Sequence, residues 1–325
     1  MRTVLNRYGL SRQPFTKEIS ADELFVSSGH QDIGTRLKAA IEGRASAVLT
    51  GEVGVGKTFV LRALERDLNP SRYRVTYIHN ANVSQRDFYR QLSVALALEP
   101  KAHPSALFRQ VQAHVEELAD EQKIHPVLLL DEAHLLAPSV LECLHVLLNY
   151  RMDSRSFLSV ILIGLPELKD RLARNIMASL STRLPVRVHL DPLEVEQVAG
   201  YLSHRLKTAG CEQEVFSEEA VLCIREATGG VLRRVNVLAQ HCLEVACQGK
   251  GTLVDGGTVQ AAVRICVEAL RLPSTPYRSR ESANSRNSKV CPGWSRDFGH
   301  SRASVCCAAA PSRARPGWRW SWRCR

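Results

Sequence analysis

One short stretch constrains this chain more than any other. Ala47-Val48-Leu49-Thr50 reads as an apolar strand, and Gly51-Glu52-Val53-Gly54-Val55-Gly56-Lys57-Thr58 follows it in the pattern G-x-x-x-x-G-K-[ST]. The glycines let backbone N–H groups curl around an anion, and a helix starting near Lys57 aims its positive end at the same point. The spacing therefore predicts a cradle for the phosphates of a nucleoside triphosphate such as ATP, formed by Gly51, Glu52, Val53, Gly54, Val55, Gly56, Lys57 and Thr58. Lys57 is expected on the β- and γ-phosphates, and the Thr58 hydroxyl on Mg²⁺. The alternative is a glycine-rich turn without a ligand.

A second stretch argues against that alternative. Val127-Leu128-Leu129-Leu130 is apolar throughout, as suits a central parallel strand covered on both faces, and Asp131-Glu132-Ala133-His134 closes it. The carboxyl edge of such a sheet is where its ligand site lies. The pair reads as a Walker B element, with Asp131 holding Mg²⁺ through its water shell and Glu132 orienting and polarising the attacking water. His134 has two readings, a sensor of nucleotide or partner and a structural residue at a helix start.

Around these motifs, strand and helix patterns alternate. Strands are expected near 47–50, 74–78, 127–130, 157–163 and 185–190, with helices at 57–68, 84–97, 105–120, 139–150 and 168–177 between them. Five strands with helical crossovers predict an α/β fold with a parallel sheet. After Asp191-Pro192 only helical periods remain, at 193–208, 217–227, 231–247 and 258–270, broken at glycines. The organisation expected is an N-terminal segment with a leading helix (1–44), a nucleotide-binding core (45–191), a helical lid (192–271) and a basic tail (272–325).

The net charge of +10 matters here because of its location. Eleven of the 43 basic residues but only two of the 33 acidic ones lie after Arg271, which leaves 32 against 31 in the rest, a nearly neutral body. The tail also holds all four tryptophans, Trp294, Trp318, Trp320 and Trp322. It reads either as a disordered basic anchor for DNA, pairing with phosphates and stacking on bases, or as an out-of-frame extension without function. Six of the ten cysteines lie in the body without a C-x-x-C pair, which predicts reduced core thiols. Residues 1–14 lack the apolar core of a signal peptide, and no stretch approaches the roughly 20 apolar residues that span a bilayer. The expectation is a cytoplasmic protein without a membrane partner.

Taken together, the phosphate loop, the D-E pair and the helical C-terminal part resemble the AAA+ ATPases, over most of residues 8–270. Within that class the chain is similar to the ExeA/TniB-type group. The resemblance rests on Tyr8-Gly9-Leu10, Pro14-Phe15, the two motifs, Gly164-Leu165-Pro166-Glu167-Leu168, and Gly229-Gly230 followed by Arg233 and Asn236. It implies the P-loop NTPase fold, a five-stranded parallel sheet with a C-terminal all-helical lid. The group includes helper ATPases of DDE-type transposases and a secretion ATPase with a membrane helix and a further domain, additions not expected here.

The resemblance also implies roles that spacing alone does not give. Arg183 stands where the group places an arginine finger that reaches the γ-phosphate of a neighbouring subunit, and Arg233 where it places the lid arginine called sensor 2. From the residues alone, a surface salt bridge for Arg183 and a helix-capping role for Arg233 remain open. Two positions depart from the pattern: Leu165 replaces a polar glutamine that contacts the γ-phosphate or water, and Leu232 replaces a proline. Asn80 is a further candidate sensor toward Glu132. The function expected is an ATPase that forms a homo-oligomer with shared ATP sites, assembles on double-stranded DNA and directs or activates a DDE-type transposase. Arg171, Arg174, Arg233 and Arg234 are candidates for the DNA patch. The rivals are an ExeA-like secretion ATPase and a nucleotide-gated scaffold with little turnover.

Overall fold

A computed structural model of the chain describes residues 2–16, 23–79, 83–249 and 252–270. The tail from 272 and the candidate sensor Asn80 lie outside them.

The apolar runs form the strands. These are β1 (Ala47–Gly51), β2 (Tyr73–Ile78), β3 (His125–Leu130), β4 (Ser159–Gly164) and β5 (Val186–Leu190), all parallel in the order β2-β3-β4-β1-β5. The three central strands are buried along their whole length, whereas the edge strands β2 and β5 are partly exposed. This is why β1, β3 and β4 carry no polar alternation: both of their faces are covered.

Those faces separate cleanly by the two-residue period of a strand. Val48, Leu128, Leu130, Val160 and Leu162 point into a core shared with α4 (Gln85–Ala95), α5 (Pro104–Glu116) and α6 (Pro138–Leu147). Ala47, Leu49, Val127, Leu129, Ile161 and Ile163 point the other way, into a core shared with α2 (Ser28–Glu42) and α3 (Lys57–Asp67). Ser27 and Ser84 cap α2 and α4, each accepting a backbone N–H of the first turn.

The single helix expected near 168–177 is broken. Residues Glu167–Leu172 form α7, Asn175–Met177 a 3-10 turn and Ala178–Thr182 α8, because Arg174 is extended (φ −67°, ψ 141°).

A third core holds the C-terminal helices α9 (Val195–Thr208), α10 (Glu218–Thr228), α11 (Leu232–Gln248) and α12 (Gly256–Leu270). Val4 and Tyr8 of α1 (Arg2–Tyr8), with Leu10 and Phe15, join this core rather than the sheet. Buried Arg205 of α9 fixes that attachment, donating to the carbonyls of Pro14 and Thr16. The N-terminal stretch thus serves two cores, with residues 2–15 on the helical unit and α2 on the sheet. The six cysteines of the described residues are free thiols, five of them buried. Among those residues no helix is long and apolar enough to cross a membrane.

Candidate functional site

The phosphate loop leaves β1 at Gly51 and enters α3 at Lys57. Gly54 (φ 84°) and Gly56 (φ 113°) take left-handed backbone that an L side chain rarely adopts. Space forbids one as well: a Cβ on Gly54 would lie 2.8 Å from Arg233 Cβ, and one on Gly56 2.9 Å from both His30 Nε2 and Leu232 Cδ1. The amides of Lys57 and Thr58 open α3, where no intrahelical carbonyl can accept them. Buried Lys57 Nζ donates to the carbonyls of Gly51 (2.7 Å) and Glu52 (2.9 Å), which uses two of its three N–H donors. Its pKa is lowered by burial, against the opposing pull of Glu132 and Asp131. Val55 is buried beneath the loop, while Glu52, Val53 and Thr58 are exposed.

The helical unit closes directly on this loop. Gly229 and Gly230 both take positive φ, and a Cβ on Gly230 would lie 2.1 Å from the Leu193 carbonyl oxygen. That tight turn delivers the start of α11, where the Arg233 N–H donates to the Gly54 carbonyl at 3.1 Å. Arg233 is therefore brought to the phosphate loop, with its side chain exposed. Leu232 packs over Gly56. Asn236 accepts from the Tyr201 hydroxyl inside the helical unit.

The paired acids stand at the carboxyl end of β3, two strands from β1. Asp131 is buried, with Oδ1 accepting the Glu132 N–H and Oδ2 the Tyr77 hydroxyl, both at 2.8 Å. No Lys or Arg pairs with it among the described residues, and the nearest cationic candidate is His79 Nδ1 at 3.9 Å. A buried carboxylate that Lys57 meets only at longer range, without a close Lys or Arg ion pair, suits a divalent cation. Among the described residues no cluster of three or more His, Cys, Asp or Glu could hold a metal alone. Mg²⁺ held by Asp131 and Thr58 would therefore need phosphate oxygens as well. Glu132 has left-handed backbone (φ 53°, ψ 33°), a strained state for a non-glycine residue that persists where its surroundings enforce it.

Arg183 is not brought to this site. It precedes β5 at the amino edge of the sheet, and the length of β5, about 16 Å, separates it from the edge carrying its own phosphate loop. Its guanidinium forms a two-pronged pair with Asp153 (2.5 and 3.0 Å). Leu165 follows β4 and presents a backbone N–H to His134 Nδ1. Of the arginines considered for a DNA patch, Arg171 is half-buried and donates to the carbonyls of His134 and Leu136, Arg174 is exposed and Arg234 partly so.

Two residues at the site escaped the sequence reading. His30 is buried beside Gly56, with Nδ1 2.5 Å from Ser27 Oγ; burial lowers its pKa, against the opposing effect of the Val55 backbone. Tyr77 supplies the hydroxyl on Asp131, and its pKa is raised, first by burial and then by that hydrogen bond. Neither sits in a spaced motif, although Ser27 three residues before His30 is a readable helix cap.

Comparison with known proteins places this geometry. A family described as "AAA domain" matches residues 40–172. General secretion pathway protein A of Aeromonas hydrophila is 33% identical over 263 residues, covering 79% of this chain and 48% of the relative, so the chain spans about half of that protein's length. Among solved structures, Cdc6p of Pyrobaculum aerophilum superposes with a TM-score of 0.59 at 18% identity, covering 78% of this chain and 70% of the other. Drosophila ORC bound to DNA gives 0.58 at 20% identity, covering 80% and 65%. At these identities the structures speak for the fold alone.

Proposed function

We propose that the chain, which matches the AAA domain over residues 40–172, is a nucleotide-binding module of the AAA+ class that binds ATP and hydrolyses it to ADP and phosphate in an oligomer with shared sites. The observation that carries the reading is convergence: Lys57, Asp131, Glu132 and Arg233, spread over 177 positions of sequence, meet around one phosphate loop. In this reading the loop amides and Lys57 bind the phosphates. Thr58 and Asp131 hold Mg²⁺, which offsets charge on the β- and γ-phosphates. Glu132 orients and polarises the attacking water. Arg233 couples the lid to the bound nucleotide, and Arg183 of one subunit reaches the γ-phosphate held by the next. An arginine supplied in this way stabilises charge that develops in the transition state, by about 10³ to 10⁵ in rate.

For the partner, the reading is a cytoplasmic switch that assembles on double-stranded DNA in its ATP state and directs or activates a DDE-type transposase. Its support is the motif resemblance, together with a fold shared with proteins such as Drosophila ORC bound to DNA. A secretion-type ATPase is the second reading, favoured by the 33% identity to general secretion pathway protein A. ATPase rate and sedimentation with and without double-stranded DNA, using ATP and a non-hydrolysable analogue, test the choice. DNA-stimulated turnover and ATP-dependent assemblies on DNA are expected; no effect of DNA at low salt would favour the secretion-type reading.

A further inference from the structure

The turn after β3 carries a largely covered imidazole that the chemistry above leaves unused. From the strained backbone of Glu132 the chain enters a 3-10 turn, Ala133–Leu135, and folds back so that His134 Nδ1 lies 3.4 Å from Glu132 Oε2. The His134 side chain is 9% exposed, whereas that of Glu132 is 39% exposed and has room to move. The ring rests against the end of β4: a Cβ on Gly164 would come within 3.3 Å of Nδ1, and the Leu165 amide nitrogen is 3.4 Å from the same atom. Arg171 of α7 holds the turn by donating to the carbonyls of His134 and Leu136. His134 thus brings a polar group to the strand end where Leu165 offers none.

We infer that His134 is the positioning residue for Glu132: its Nδ1, which accepts the Leu165 N–H in this structure, lies close enough to the carboxylate to hold it once that nitrogen carries a proton. A general base must stand within hydrogen-bond reach of the water it activates, and a misplacement of about 1 Å costs about 100-fold in rate. An exposed glutamate head needs an anchor to meet that demand, and a ring fixed by burial and by Arg171 provides one. A single ring nitrogen donates or accepts, but does not do both at once. When Nδ1 accepts the Leu165 N–H, Glu132 loses its donor; when Nδ1 carries the proton, Glu132 is held. The imidazole therefore links the end of β4 to the carboxylate. This inference rests on Glu132 being the water-polarising base.

Two substitutions separate positioning from packing. His134→Asn places an amide nitrogen where Nδ1 stands and keeps the donor, whereas His134→Phe fills the slot without one. Turnover, ATP affinity and melting temperature are measured on the full chain. His134→Asn is expected within about threefold of the parent rate, and His134→Phe about 10- to 100-fold below it, with ATP affinity unchanged. Adding His134→Phe to Glu132→Gln should cost nothing more, because the two act as one unit. Imidazole ¹⁵N spectra give a readout independent of turnover: Glu132→Ala should shift His134 toward the tautomer with a bare Nδ1. Full activity in His134→Phe, or an unmoved tautomer in Glu132→Ala, would overturn the inference. Failure of the underlying reading is distinguishable, since it appears as parental turnover in Glu132→Gln itself.

Discussion

Two arginines are proposed for the nucleotide site, and they stand in opposite conditions. Arg233 is delivered to the phosphate loop by its own subunit, through the backbone bond to Gly54, and its head is exposed. Arg183 lies at the far edge of the sheet with its head engaged by Asp153, 17% exposed against 60% for the carboxylate. The contrast divides the proposed site into a half that one chain assembles alone and a half that it can only lend to another. The first half is packed by glycines that admit nothing larger; the second depends on an ion pair at the surface.

The largest effects should come from the self-assembled half. Lys57→Ala should abolish ATP binding, measured with a fluorescent nucleotide, whereas Glu132→Gln should keep binding and lose turnover by at least about 10²-fold. If both lost binding, the acid would belong to the cradle rather than to the chemistry. Arg183→Ala should leave ATP affinity unchanged and lower turnover by about 10³-fold. A loss of affinity there would place Arg183 in the first half after all.

Acid probes the two edges separately. His125, buried at the start of β3 with Nε2 2.8 Å from Ser159 Oγ, has its pKa pushed down to about 4 by burial. Between about pH 6.5 and 4 the unfolded chain binds a proton at this residue that the folded chain refuses. Its contribution to stability is therefore present above pH 6.5 and lost as pH falls through 4, by about 3 kcal/mol. His30, also lowered, has the same sign. His125→Asn should flatten the fall of melting temperature in that window without altering ATP affinity, whereas His30→Asn should alter both. The smallest effect is expected from Asp153→Ala. An ion pair with a 60% exposed carboxylate is worth about 1 kcal/mol or less. Removing the ion pair, which leaves Arg183 its bond to the Leu148 carbonyl, should therefore lower the protein concentration for half-maximal turnover by at most about fivefold.

Legibility followed the same division. The loop between β1 and α3, the place of the paired acids and all five strands could be read, because glycines at fixed spacing mark the loop and buried central strands cannot hide their apolar runs. The break between α7 and α8 could not, since the apolar period runs through residues 168–177 while Arg174 is extended. Nor could the attachment of α1 to the helical unit, which depends on contacts between residues some 200 positions apart, such as Arg205 with Pro14. His30, Tyr77 and the pairing of His134 with Glu132 are single polar residues placed by the fold, with no pattern to announce them. The two carbonyls that Arg171 binds are likewise placed by the fold.

The central claim is that one subunit's Arg183 completes another's site, and mixing two inactive variants tests it most directly. Lys57→Ala protein retains Arg183 but cannot hold ATP; Arg183→Ala protein holds ATP but lacks the arginine. Turnover measured across mixing ratios should rise above the sum of the separate proteins and peak at an intermediate ratio. Turnover that never exceeds that sum, at concentrations where the parent protein is active, would contradict a shared site.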